Sequence, residues 1–200
     1  MLVLTSQEEL PLNHRNLILA LILVTLLLGF LGAQSPSKIY EIGDIGPAGG
    51  LVFYDKGFIS DGWRYLEAAP ASAEFSAEWG LYHYDLSGTN TAVGRGRKNT
   101  KLIVKYLNAR GERNCAAQRC AALNSNGYTG WFLPSKDELN LMYTNIRMHP
   151  LGGFTTTRDR ANNTHSYWSS SQSSAYNDGA WAQRFSDGGQ DYYLKYSYFI

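Results

Sequence analysis

Residues 17–33 (LILALILVTLLLGFLGA) form an unbroken run of seventeen uncharged positions, separated from His14 and Arg15 by Asn16 alone. As a helix the run reaches about 26 Å, short of the roughly 30 Å hydrocarbon layer of a membrane. Gly29, Gly32 and Ala33 close it, and Gln34, Ser35 and Pro36 follow. A charged start, an apolar middle and a small-residue end predict a signal peptide over residues 1–33, cleaved near Ala33. The alternative is an uncleaved membrane anchor over residues 17–33. Either way the bulk of the chain is expected outside the cytoplasm.

Beyond a short linker over 34–40 the apolar positions come in brief runs. Residues 41–54 (EIGDIGPAGGLVFY) predict tight turns leading into a four-residue strand over 51–54, and GWRYLEA predicts a second strand over 62–68. Residues 70–98 are polar, small and glycine-rich, with no sustained period, and read as mostly loop. A helical stripe of Leu102, Ile103, Tyr106 and Leu107 follows, with Asn99 or Thr100 as its expected cap. Residues 115–123 (CAAQRCAAL) predict a second helix, ended by Asn126 and Gly127. Trp131 and Leu133 alternate like a strand that buries one face, until Pro134 stops it. Ser135 with Glu138 three residues on is a capping box, and Leu139, Met142, Tyr143 and Ile146 give that third helix its buried stripe.

After Pro150 the period returns to two. Strands are predicted over 167–170, 180–185 and 190–200, with Asp187, Gly188 and Gly189 as the turn between the last two. In the terminal run Leu194, Tyr196, Tyr198 and Ile200 share one face. Strands, then helices, then strands predict an α+β domain over residues 41–200.

Composition sharpens this picture. Aromatics are 14% of the chain while charged residues are only 18%, which suits a turn-rich domain with β-structure rather than a helical bundle or a disordered chain. Cys115 and Cys120, five apart, would point about 140° from each other on one helix. A disulfide therefore requires Cys115 to precede the helix; two buried thiols are the other possibility, and no further ligand spacing suggests a metal.

Four segments carry a resemblance: YEIGDIGPAGGLVFYDKG, DGWRYLEAAP, GYTGWFLPSKDELNLMY and YWSSS, in that order. Together they resemble the bacterial domain family typified by the C-terminal domain of the Legionella collagen-like (Lcl) adhesin, over about residues 39–185. The resemblance implies a C-type lectin-like fold, also similar to the formylglycine-generating enzyme domain. It would have a twisted antiparallel sheet, two or three flanking helices, and paired first and last strands. It also implies binding of glycosaminoglycan-like polyanions. The family's last strand commonly carries arginines, which KYSYFI lacks. Trp131 and Trp168 read as core anchors within this frame, which makes GWFLPSKDEL a structural joint.

Charge then points to candidate sites. Residues 38–91 hold three basic and eight acidic residues, whereas residues 95–119 hold eight basic residues and one acidic, Glu112. Arg95, Arg97, Lys98, Lys101 and Lys105 are the first candidate set, for a sulfated or carboxylated polysaccharide. The competing reading is a solvated helix face partly paired with Glu74, Glu78 and Asp85. A second candidate set, Asn177, Asp178, Trp181 and Arg184, would offer ring stacking and hydrogen bonds to a sugar. Nucleic acid is not an expected partner for an exported domain with 17 basic against 15 acidic residues after Ala33. No enzyme activity, cofactor or metal is expected. The formylglycine-generating enzymes use reactive cysteines near the chain end, and here none follows Cys120. No serine, histidine and aspartate spacing marks a triad. The reading is an exported or cell-surface module for adhesion or recognition of a glycan. The alternative is a structural envelope protein that presents loops to a protein partner.

Overall fold

The computed structural model describes residues 38–156 and 166–200. The expected signal or anchor segment lies outside the described residues. No helix among those described is long and apolar enough to cross a membrane. Residues Tyr40–Ile200 form one compact unit.

The unit is α+β, as the pattern predicted. A hairpin of β1 (Leu51–Ser60) and β2 (Trp63–Ala68) comes first. Asp61 and Gly62 turn it with φ of 52° and 79°, and Ser60 pairs Trp63 across the turn. Asp-Gly with two positive φ values is what a two-residue hairpin turn requires. Bidentate bonds of 2.8 Å each from Arg64 to Asp55 lock the two strands. β1 runs six residues past the four predicted, with pairing to β2 through Asp55, an irregular stretch after it, and pairing again at Ser60 beside the turn. A short strand β3 (Ala77–Glu78) follows, then helices α1 (Gly96–Ala109), α2 (Ala116–Ala122) and α3 (Lys136–Met142), the last continuing into a π-helical turn, Tyr143–Arg147. Strands β4 (Ser166–Gln172), β5 (Gly179–Arg184), β6 (Gln190–Leu194) and β7 (Tyr198–Phe199) complete the unit.

The strands form three antiparallel groups, β1-β2, β3-β7 and β4-β5-β6, rather than the one twisted sheet expected. Ile200 exchanges backbone hydrogen bonds with Trp168 (2.7 Å) and Ser166 (3.1 Å), which joins the end of the chain to β4. The first and last strands do not pair: β1 pairs β2, and β7 pairs β3. The terminal run is also not one strand. It turns after Leu194, and the face that points inward is the one bearing Lys195 and Phe199, while Leu194, Tyr196 and Tyr198 are exposed. Lys195 reverses the expected pattern because its ammonium finds acceptors inside, on Tyr84 O (2.7 Å), Gln172 Oε1 (2.8 Å) and Leu81 O (3.4 Å), with the Trp79 ring 5.0 Å away.

Two packed clusters make the core. One joins α1, α2 and β4–β5 through Trp79, Leu81, Leu86, Ile103, Leu107, Leu133, Trp168 and Phe199. The other joins the β1–β2 hairpin to α3 through Phe53, Leu66, Leu139, Ile146, Tyr167 and Phe185. Trp168 is buried as expected, and Trp79, in a stretch read as loop, is buried as fully. Their indole N–H groups are satisfied crosswise: Trp79 donates to Ser169 O (2.8 Å) and Trp168 to Ala77 O (3.1 Å). Burial of such a ring contributes about 5 kcal/mol gross. Both cysteines are free thiols; Cys115 is the N-cap of α2, so it does precede the helix, yet no bridge forms.

Candidate functional site

The site is built outward from the junction at residues 133–138. Ser135 caps α3 as predicted, its hydroxyl accepting from Glu138 N (3.3 Å) while Glu138 Oε2 accepts from Ser135 N (2.7 Å). Glu138 reaches further than a capping box needs. Its Oε1 accepts from Gly94 N (2.7 Å) and Gly96 N (3.4 Å), so one fully buried carboxylate ties the start of α1 to the start of α3. Burial pushes this carboxyl above the usual glutamate range, against the lowering effect of the three N–H donors. Gly96 has no room for a Cβ, which would meet the Glu138 carboxylate and the Phe132 ring.

Helix α1 therefore begins at Gly96 with Arg95 as its cap, four residues before Asn99 and five before Thr100. Asn99 and Thr100 are buried inside its first turns instead. Asn99 bonds Asn90 O (2.7 Å) and Ser170 Oγ (3.1 Å), and Thr100 Oγ1 accepts from Leu133 N (3.0 Å). Clamped in this way, α1 presents Arg97, Lys101 and Lys105 at four-residue spacing, about 40° apart around the axis, with Lys98 beside them.

These cations line a groove with two adjoining hollows. The larger, about 700 Å³, lies between α1 and the β1–β2 hairpin: Arg97, Lys98 and Lys101 face Asp61, Trp63, Tyr65 and Glu67. The smaller, about 370 Å³, is lined by Arg97, Lys101, Val104 and Lys105, and the two share Trp131 and Phe132. Trp131 is thus half-buried in the groove wall rather than a core anchor, and residues 131–133 belong to no strand. Its indole donates to Tyr128 O (3.2 Å) and its ring edge approaches Gly50, where a Cβ would lie 3.1 Å away. Trp63 abuts Gly94 in the same manner, at 3.2 Å, and carries Lys56 Nζ 3.7 Å from its ring centroid. Arg97 lies 5.2 Å over Phe132. Glu67 accepts from Ala48 N (3.1 Å) and Gly50 N (3.2 Å), and desolvation raises its pKa above the ordinary glutamate value.

The family model of the Lcl C-terminal domain matches residues 75–200. The chain belongs to that family. No curated protein and no solved structure matches it. The match begins later than the resemblance suggested and runs through KYSYFI to the end, so the missing arginines do not place the last strand outside the Lcl C-terminal domain. It also divides the groove: α1 and Trp131 lie within the matched domain, while Asp61, Trp63, Tyr65 and Glu67 precede it.

Of the first candidate set, Arg97, Lys98, Lys101 and Lys105 converge on the groove, and Arg95, the exposed N-cap of α1, lines neither hollow. Among the described residues the four form no ion pair. Of the three acids in the competing reading, Glu74 bonds Tyr167 and Thr155 and Asp85 bonds Gln172, and Glu78 forms no ion pair with the basic set among the described residues. Arg110 and Arg119 turn away to lie over Tyr84 and Phe75.

The second set is not brought together. Asp178 holds His83 at one end of β5, with His83 N 2.8 Å away. Arg184, at the other end, holds Asp187 (3.0 Å). Trp181 lies between them, covered by Lys136 at 4.3 Å and edge-on to Tyr192, and Asn177 stays in the exposed turn before the strand. The groove residues that periodicity missed are Trp63, Tyr65, Glu67 and Trp131. Clustering of aromatics in DGWRY and GWF was their signal, but it cannot be told from core packing until the two segments meet.

Proposed function

We propose that this Lcl C-terminal domain is a binding module working outside the cytoplasm, in adhesion or surface recognition, and that its groove takes an anionic glycan. One observation carries the reading: four basic side chains without ion-pair partners among the described residues converge on a groove that also offers an indole. Ring faces suit the apolar side of a pyranose, and the cations suit its carboxylate or sulfate. Such binding weakens with salt, because the cations are exposed.

The test is an Arg97/Lys98/Lys101→Ala triple variant compared with the wild-type chain on immobilised heparin and on a glycan array. Earlier elution and loss of array binding are expected, with an unchanged circular dichroism spectrum. Unchanged elution removes the groove from the reading. A silent array together with one stoichiometric co-purifying protein would favour the protein-partner alternative.

A further inference from the structure

The groove is not a uniformly cationic surface, and that sets what it can hold. The larger hollow opposes Arg97, Lys98 and Lys101 on α1 to Asp61 and Glu67 on the hairpin. A heavily sulfated chain in this hollow would bring sulfates against both carboxylates, and like charges at short range suppress binding. A sugar chain with a single carboxylate per repeat meets no such conflict. Its anion faces α1, and its hydroxyls donate to Asp61 and Glu67, whose oxygens accept hydrogen bonds.

Dimensions agree with a chain rather than a single sugar. The larger hollow lies within the roughly 300–1,000 Å³ range that encloses small ligands. The smaller one continues past Trp131 and ends at Lys105. Arg97 and Lys105 are about 12 Å apart along the axis of α1, the order of one disaccharide repeat. An indole at the division between the hollows gives the intervening ring a stacking face.

Resting on the glycan reading above, we propose that the groove selects unsulfated, uronic-acid-containing chains with one carboxylate per disaccharide, bound along their length. One carboxylate pairs with the Arg97, Lys98 and Lys101 cluster and the next with Lys105. The Asp61 and Glu67 wall weakens, without abolishing, the binding of densely sulfated chains.

Titration calorimetry of the full chain tests this with two hexasaccharides of equal length. One is unsulfated and alternates glucuronic acid with N-acetylglucosamine; the other is a heparin fragment. The unsulfated fragment should bind more tightly at physiological salt, and Trp131→Ala and Lys105→Ala should each weaken it tenfold or more. Asp61→Asn keeps the turn, since asparagine tolerates its positive φ. It should raise affinity for the heparin fragment about threefold or more and move the unsulfated one little. Preference for the heparin fragment, unchanged in Asp61→Asn, overturns the selectivity and leaves the glycan reading standing. Failure of both fragments to bind folded protein overturns both.

Discussion

Removing the Glu138 carboxylate should cost the domain about 4 kcal/mol, because three backbone donors lose their acceptor together. The two short bonds, from Gly94 N and Ser135 N, are both 2.7 Å, and the third, from Gly96 N, is 3.4 Å. A buried N–H left unpaired costs about 1–3 kcal/mol. Ser135 is fully buried and takes the upper part of that range. Gly94 borders the groove, where water can replace the carboxylate, and takes the lower part. Gly96 adds a fraction. In Glu138→Ala the urea midpoint should therefore fall by about 2 M, for a slope near 2 kcal/mol/M. Glu138→Gln keeps one acceptor oxygen but turns an NH₂ toward a donor, and about half the loss is expected. It also remains measurable if the alanine variant does not fold. An alanine midpoint within about 0.3 M of wild type would refute the claim that this carboxylate joins the two helix starts.

Lys195 gives a pH signature. Burial lowers its pKa from 10.5 to about 8. Below pH 8 the ammonium is charged in both states and the folded state bears the full desolvation cost; that cost is relieved as pH rises from about 8 to 10.5. Stability should thus climb by up to about 3 kcal/mol across that window relative to Lys195→Met, measured by urea unfolding. Parallel pH profiles would refute it. Gly96→Ala should lower Tm and destabilise by about 1–3 kcal/mol, since the added methyl meets the Glu138 carboxylate and Phe132. An unchanged Tm would show that the junction yields freely. Both thiols are pushed up to about 12, Cys120 chiefly by burial and Cys115 by burial and Glu112. Iodoacetamide at pH 8 should leave native protein unmodified by mass spectrometry and label both cysteines after denaturation. Cys115 is buried and Cys120 half-buried, so rapid native labelling of either would contradict the raised thiol pKa values.

What could be read along the chain was what neighbours within a few residues decide. The capping box at Ser135 and Glu138, the helical face through Ile103 and Leu107, the turn at Asp187 to Gly189 and the basic run on α1 all appear where expected. Each depends on a rise of 1.5 Å per residue or on a turn's φ preference, which local sequence carries. Trp131, Asn99 and Lys195 could not be placed that way. Trp131 lines a groove only because Gly50, some eighty residues earlier, lacks a side chain beside it. Asn99 is interior because Ser170 and the backbone of Asn90 meet it there. Lys195 can be buried only where the carbonyl of Tyr84 and the amide of Gln172 wait for its ammonium. Burial of a polar group is decided by partners distant in sequence, and only the folded chain assembles them. Local chemistry thus carried the helices, the cap of α3, the hairpin turns and the cationic face of α1, while the short strand β3, the break after Leu194 and the wall that the cationic face opposes came from partners distant in the chain.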